Sequence, residues 1–391
     1  MSLNEEEKVP IKERVIAKGG IKLFKIFGIQ ISLNYSWFII FALIAWTLAT
    51  GYFPQARPYL ATSTYWVAGL ISTLLLFVSV LLHELSHSLV ALAHGLKIRG
   101  ITLFIFGGVA QIAKEPEDAK TELRMAIAGP LSSLVLAVLF WGLSQFVKAI
   151  SPSSIAVTIF FYLFLINFIL ALFNLIPGFP LDGGRILRAY LWKKSGDQEK
   201  ATKTASNVGR WFGNILLFLG FINLFWGRFL NGAWLILIGI FLQQAATEAY
   251  ELANLLGSIA GIKVKEAMNE DVVSISSQLA LDYVVKEFFL RYRYNCFPVV
   301  DGEKLLGTIT VDDVKEVPRE LWSETEVYQA MKTLPKELII SPEDDVASSF
   351  KKMLYSGEKS LPVVEDGRLV GIITRGDVLK LFHLKRKFGG W

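Results

Sequence analysis

Leu70–Gly95 reads LISTLLLFVSVLLHELSHSLVALAHG, an apolar run broken by His83, Glu84 and His87. As a helix rising ~1.5 Å per residue, it is long enough to cross a hydrocarbon core ~30 Å thick. Ionisable groups at such depth are expensive and default to function. His83-Glu84-Leu85-Ser86-His87 matches H-E-x-x-H. Residues four apart on a helix lie ~6 Å apart along the axis and roughly 40° apart around it, so both imidazoles can reach one ion. Neutral imidazole suits Zn2+, and a carboxylate beside the metal can take the proton of a bound water. Glu84 has that place. The bland alternative is a polar cluster that only holds helices together.

A zinc site of this kind needs a third protein ligand. His94 is rejected, because on a continuing helix it lies ~10 Å along the axis from His87. A metzincin pattern would also need Gly and His where the chain has Val90 and Ala93. Glu115, Glu117, Asp118 and Glu122 fall in or beside a charged loop, Asp197 and Glu199 in another, and Glu248 at a segment end. No acidic residue occurs from Met125 to Leu181 or from Lys200 to Thr247. Asp182 remains, in Asn174-Leu-Ile-Pro-Gly-Phe-Pro-Leu-Asp182-Gly-Gly-Arg185. Pro177 and Pro180 are expected to end a helix there, and the glycines allow a turn that aims the carboxylate inward. The alternative is a capping Asp. Asn174 reads as a buried amide able to donate to an oxyanion, or else as a helix-packing amide.

Outward from this core, the 391 residues are 53% apolar, unevenly spread. Residues 29–250 are mostly long apolar runs and residues 262–391 read as an ordinary soluble domain, with 251–261 as a linker and 1–28 as a charged flank. Six membrane segments are expected, near Ser32–Tyr52, Trp66–His94, Thr121–Phe146, Ile155–Phe179, Ala205–Trp226 and Phe229–Ala249. The fold class is therefore a polytopic α-helical membrane protein joined to an α/β tail.

Basic residues alternate between loops. Lys8, Lys12, Arg14, Lys18, Lys22 and Lys25 precede the first segment, and only Arg57 follows it. Lys97, Arg99, Lys114, Lys120 and Arg124 follow the second, and Lys148 stands alone after the third. Arg185, Arg188, Lys193, Lys194, Lys200 and Lys203 follow the fourth. This bias predicts a multi-pass protein of the cell membrane with both termini cytoplasmic. It also accounts for the net charge of +5 without a nucleic-acid partner. The single cysteine, Cys296, excludes an internal disulfide and a multi-cysteine metal site. No cleavable signal peptide is expected in the charged first 28 residues.

Lys97–Ala113 is too short to span. Its β-prone residues flank Gly107-Gly108, which predicts a hairpin turn there, either on the surface or at membrane depth where protein or water satisfies its backbone. In the soluble half, FPVVDGEKLLGTITVDDV from Phe297 recurs as LPVVEDGRLVGIITRGDV from Leu361, 64 residues later. Each copy reads strand, turn, strand, helix, and the two are expected to form one pseudosymmetric unit.

These motifs together resemble the site-2 protease family of intramembrane metallopeptidases, in its archaeal and bacterial branch with tandem cystathionine-β-synthase (CBS) domains. His83–His87 matches the family's zinc motif, and Asn174 with Asp182 matches its second signature. Gly107-Gly108 and Ala128-Gly129-Pro130 fit the same likeness, which covers residues 20–250 for the protease and 262–385 for the tail. The resemblance implies one Zn2+ per chain on His83, His87 and Asp182, with Glu84 as general base and Asn174 assisting the oxyanion. It implies transmembrane protein substrates cut in or beside the lipid bilayer. In CBS pairs the threonine and aspartate of T-x-x-D contact the phosphate and ribose of adenine nucleotides. Thr310, Asp313, Thr374 and Asp377 are thereby implied as contacts for a regulatory ATP, ADP or AMP; the alternative is a purely structural role in a homodimer through the CBS domains. Rival readings are a CBS-gated transporter, which would spread polar residues along a pathway, and a silent scaffold, whose structural zinc would usually have four protein ligands.

Overall fold

The computed structural model describes residues 20–105, 107–112 and 115–388. Lys8, Lys12, Arg14, Lys18, Ala113 and Lys114 lie outside them. The chain forms two compact units, residues 1–254 and 255–391.

Among the described residues, six helices are long and apolar enough to cross a membrane. They are α1 (Ser36–Ala56), α2 (Thr62–Ala93), α3 (Ala119–Ile150), α4 (Ile155–Asn174), α6 (Gln198–Phe225) and α7 (Phe229–Ile259). A shorter helix, α5 (Asp182–Ser195), lies between α4 and α6. Large apolar side chains cover the outside: Val138 is 68% exposed, Phe218 66% and Trp211 72%. Such a surface suits lipid and would be a liability in water. The fourth helix stops at Asn174, short of the expected Phe179 and ahead of both prolines. Helix α7 runs on to Ile259, so most of the stretch expected to be a linker, 251–261, is helical.

A four-stranded sheet precedes and interrupts the helices. Its order is β1 (Gly20–Ile26), β2 (Ile29–Asn34), β3 (Ile98–Phe104), β4 (Gly107–Ile112). Pairing is antiparallel for β1–β2 and β3–β4, and parallel for β2–β3. Two expectations are corrected here. Residues 20–28 are not merely a charged flank, and the first segment begins at Ser36 because Ser32–Asn34 belongs to β2. Strand alternation explains this: Ile29, Ile31 and Leu33 are buried, and the first two pack with Ile101 and Leu85 of α2. Gly107 and Gly108 are not the hairpin turn but paired strand residues, opposite Phe104 and Leu103.

The second unit carries a five-stranded sheet in the order β5 (Ile275–Ser276), β6 (Cys296–Asp301), β7 (Lys304–Thr310), β9 (Arg368–Thr374), β8 (Ser360–Glu365). The repeat is visible in its register. Phe297 pairs with Ile309 and Val299 with Gly307; 64 residues on, Leu361 pairs with Ile373 and Val363 with Gly371. Both hairpins carry a register shift at the same place, Val299/Val300 and Val363/Val364. Each ends in a helix, α8 (Val311–Lys315) and α9 (Arg375–Phe388). The segments leading into the copies cross over: Asn269 bridges to Ile372, and Lys332 to Thr308. Each copy has its own apolar core, and residues 255–264 join that of the second.

Candidate metal centre

Helix α2 turns three faces to three neighbours. Leu81 and Leu85 face the sheet. Glu84, half-buried, faces the backbone of β4, where a Cβ built on Gly108 would lie 2.4 Å from Glu84 Cγ. His83 and His87, 4% and 5% exposed, face α3 and the start of α5. Asp182 is the first residue of α5 and is also buried.

Three ligand atoms converge. His83 Nε2 lies 3.0 Å and His87 Nε2 3.2 Å from Asp182 Oδ2, and the two ring nitrogens are 3.2 Å apart. Among the described residues this is the one group of three or more His, Cys, Asp or Glu whose ligand atoms all lie within 4.8 Å of one another. The opposite ring nitrogens are held by α3. His87 Nδ1 donates to the Met125 carbonyl at 2.6 Å, and His83 Nδ1 meets Ser133 Oγ at 2.9 Å. A carbonyl only accepts, so in the neutral ring of His87 the proton sits on Nδ1 and Nε2 keeps its lone pair. Lone pairs of two imidazoles and a carboxylate facing one another at such distances fit a shared cation, and this donor set suits zinc.

Gly129 of α3 lies beneath the cluster. A Cβ there would stand 2.1 Å from His87 Nε2 and 2.6 Å from His83 Nε2, so no other residue fits without displacing the two imidazole rings. The loop before Asp182 is pinned in a similar way. Phe179 N donates to Ala205 O at 3.1 Å, and a Cβ on Gly209 would lie 1.9 Å from Phe179 O.

The remaining expected residues divide. Asn174 ends α4 half-buried, not fully buried as expected, with Nδ2 donating to Leu170 O at 3.0 Å. His94 caps α2, exposed, its Nδ1 bonded to Val90 O and its Nε2 3.1 Å from Arg124, outside the cluster. Glu122, expected in or beside a charged loop and inside the third segment, lies in the first turn of α3, 0% exposed and paired with Arg188 of α5. Ser133, the Met125 carbonyl and the Glu122–Arg188 pair were not singled out in the sequence. The signal available was spacing, since 122, 129 and 133 fall on one helix stripe.

In the tail, both T-x-x-D motifs are helix caps. Thr310 Oγ1 donates to Asp313 Oδ2 at 2.5 Å and accepts from Asp313 N at 3.2 Å. Thr374 and Asp377 repeat this at 2.6 and 3.2 Å. The copies differ in one respect. Asp313 is 2% exposed and ion-paired with Lys332, whereas Asp377 is half-buried with Lys380 3.9 Å away. Burial pushes the Asp313 carboxyl up, but Lys332 and the Thr310 donors outweigh it and hold it below the usual range.

The model of peptidase family M50 matches residues 71–154 and 144–219, and the CBS domain model matches 264–320 and 327–384. The zinc metalloprotease MJ0392 of Methanocaldococcus jannaschii is 34% identical over 364 residues, 93% of this chain and 96% of that protein. Rip3 of Mycobacterium tuberculosis is 31% identical over 371 residues, 94% of each. The solved site-2 protease from M. jannaschii is 37% identical, covers 59% of this chain and 95% of its own, and has a TM-score of 0.42. With relatives this similar over nearly the whole length and six apolar helices long enough to cross a membrane, the chain belongs to peptidase family M50: it is a membrane zinc metallopeptidase of the site-2 protease type with a tandem CBS tail.

Proposed function

We propose that His83 Nε2, His87 Nε2 and Asp182 Oδ2 hold one zinc ion per chain, and that the protein hydrolyses peptide bonds of transmembrane substrates at that site. The convergence of three lone-pair atoms within 3.2 Å, with both Nδ1 atoms turned toward α3, carries this reading. When bound, zinc supplies Lewis acidity, making water a nucleophile near neutral pH and polarising the scissile carbonyl. Glu84 takes the proton from the attacking water and returns it to the departing amine. Asn174 donates from Nδ2 to the carbonyl oxygen as it gains charge; its present bond to Leu170 uses one of the two amide hydrogens.

A peptide bond within a helix is shielded, so a substrate must unwind before attack. Strand β4 lies at the sheet edge, and its Gly108 rests on Glu84. An unwound segment added along β4 would pass this carboxylate, with main-chain hydrogen bonds holding it extended. Purified protein is expected to contain about one zinc per chain and to cut a model membrane substrate. Glu84→Gln should keep the metal and lose cleavage; a variant that still cuts contradicts the mechanism.

The tail reads as a regulatory module taking ATP, ADP or AMP, with Thr310, Asp313, Thr374 and Asp377 toward phosphate and ribose. The half-buried Asp377 favours the second copy as the more available ribose acceptor, since Asp313 is enclosed and paired with Lys332. Nucleotide must favour one arrangement of the tail to alter activity. Alternating basic-rich loops support cytoplasmic termini, and pairing of tails between two chains would accompany the sensor role. Isothermal titration of ATP, ADP and AMP into the full chain checks binding; flat traces with all three contradict it.

A further inference from the structure

Glu122 near the start of α3 is wholly enclosed. Arg188 of α5 donates to its Oε1 from Nε at 2.7 Å and reaches the same oxygen from Nη2. The Arg188 guanidinium also lies 5.2 Å from the Phe179 ring centroid and 3.6 Å from Glu115 Oε1, and Arg185 Nε stands 4.0 Å from Glu122. The arginine therefore ties three things together: α3, the approach to α5 and α5 itself. A buried ion pair is a poor source of stability, because desolvation offsets its attraction and apolar residues of the same volume do as well. Its best-attested use is to fix register.

The register at stake is that of Asp182. Helix α3 already positions both imidazoles, through Ser133 Oγ and the Met125 carbonyl, and Gly129 lets the ring nitrogens approach. Glu122 shares a stripe with Gly129 and Ser133. It grips α5 six residues, under two turns, beyond Asp182. We infer that the Glu122–Arg188 pair is a positioning latch, setting α5 against α3 so that Asp182 Oδ2 meets the two imidazoles held by the same helix. This rests on the reading of Asp182 as a zinc ligand. A guanidinium is required because its planar fork sets direction as well as charge, which an ammonium does not.

The test uses the full-length purified protein and three variants: Glu122→Met with Arg188→Met, Arg188→Lys, and Asp182→Asn as reference. Readouts are zinc affinity by chelator competition, the absorption spectrum of the cobalt-substituted protein and the melting of the metal-free protein. The double Met variant removes both charges of the buried pair together, and the two groups that lose a neighbour, Arg185 and Glu115, are partly exposed to solvent, so its metal-free form should melt at or above the wild-type temperature. Its zinc affinity should nevertheless fall about 10- to 100-fold, the usual effect of removing outer support from a ligand. Its cobalt spectrum should move toward that of Asp182→Asn. Wild-type affinity and spectrum in the double variant overturn the latch alone, whereas wild-type affinity in Asp182→Asn overturns the ligand reading and the latch with it. Should the double variant fail to fold, Arg188→Lys decides: a shifted cobalt spectrum supports the latch and an unshifted one overturns it.

Discussion

Gly129 Cα sits directly under His87 Nε2, so close that a Cβ there would be 2.1 Å from the ring nitrogen. The contact is between a helix backbone and the nitrogens that face Asp182, so any side chain enters the space that the ligands share. Gly129→Ala is accordingly expected to abolish zinc retention while the helices persist. Metal analysis beside circular dichroism checks this, and full zinc occupancy in a folded Gly129→Ala protein contradicts it.

Ser133→Ala removes the partner of His83 Nδ1 without touching Asp182. Loss of such an outer contact typically lowers metal affinity or activity about 10- to 100-fold. Chelator competition should place Ser133→Ala inside that range, and Ser133→Thr, which keeps the hydroxyl, nearer the wild type.

Strand β4 offers a separate test of substrate delivery. Paired proline substitutions at Val109 and Gln111 remove two backbone donors at the sheet edge. Cleavage of a membrane substrate should drop at least tenfold with zinc content unchanged. Unaltered cleavage would remove strand addition from the account.

Cys296 is the only cysteine, and burial pushes its thiol up to about 11. The thiolate is the reactive form, so at pH 8 only about a thousandth of the population is reactive. Maleimide labelling of the native protein should be far slower than that of a free thiol and should accelerate on unfolding. Rapid native labelling would show that strand β6 opens.

Asp313 gives a pH signature. Its carboxyl is held below the usual range by Lys332 and Thr310 against the effect of burial. A depressed folded pKa contributes stability that is present above the unfolded value of ~3.9 and is lost as pH falls through the folded one. Asp313→Asn should therefore weaken protection of β7 against hydrogen exchange at pH 7, and the gap from wild type should close on acidification. A gap that widens toward acid contradicts the assignment.

Much of this was legible in residues alone. The two histidines announce themselves because charge is costly in an apolar run, and Asp182 stands out because residues 125–181 hold no other carboxylate. The tail was legible from its repeat, which the register reproduces pair for pair. The sheet at residues 20–34 was obscured because its short strand β2 runs into an apolar helix, and period-two and period-3.6 patterns blur at the junction. The burial of Glu122 was not legible because neighbouring charges at 115–118 make it read as one more solvated group at the loop's edge, while its partner Arg188 lies 66 positions later. Gly108 and Gly129 were visible as glycines, but what each one touches comes from another helix.

The ligand set itself is open to zinc K-edge X-ray absorption on metal-loaded Glu84→Gln protein, compared with Glu84→Gln/Asp182→Asn. Two imidazoles and one carboxylate should appear as nitrogen and oxygen neighbours at about 2.0–2.2 Å, and removal of the carboxylate should cost most of the bound zinc. An unchanged zinc content and coordination shell without Asp182 would contradict the account.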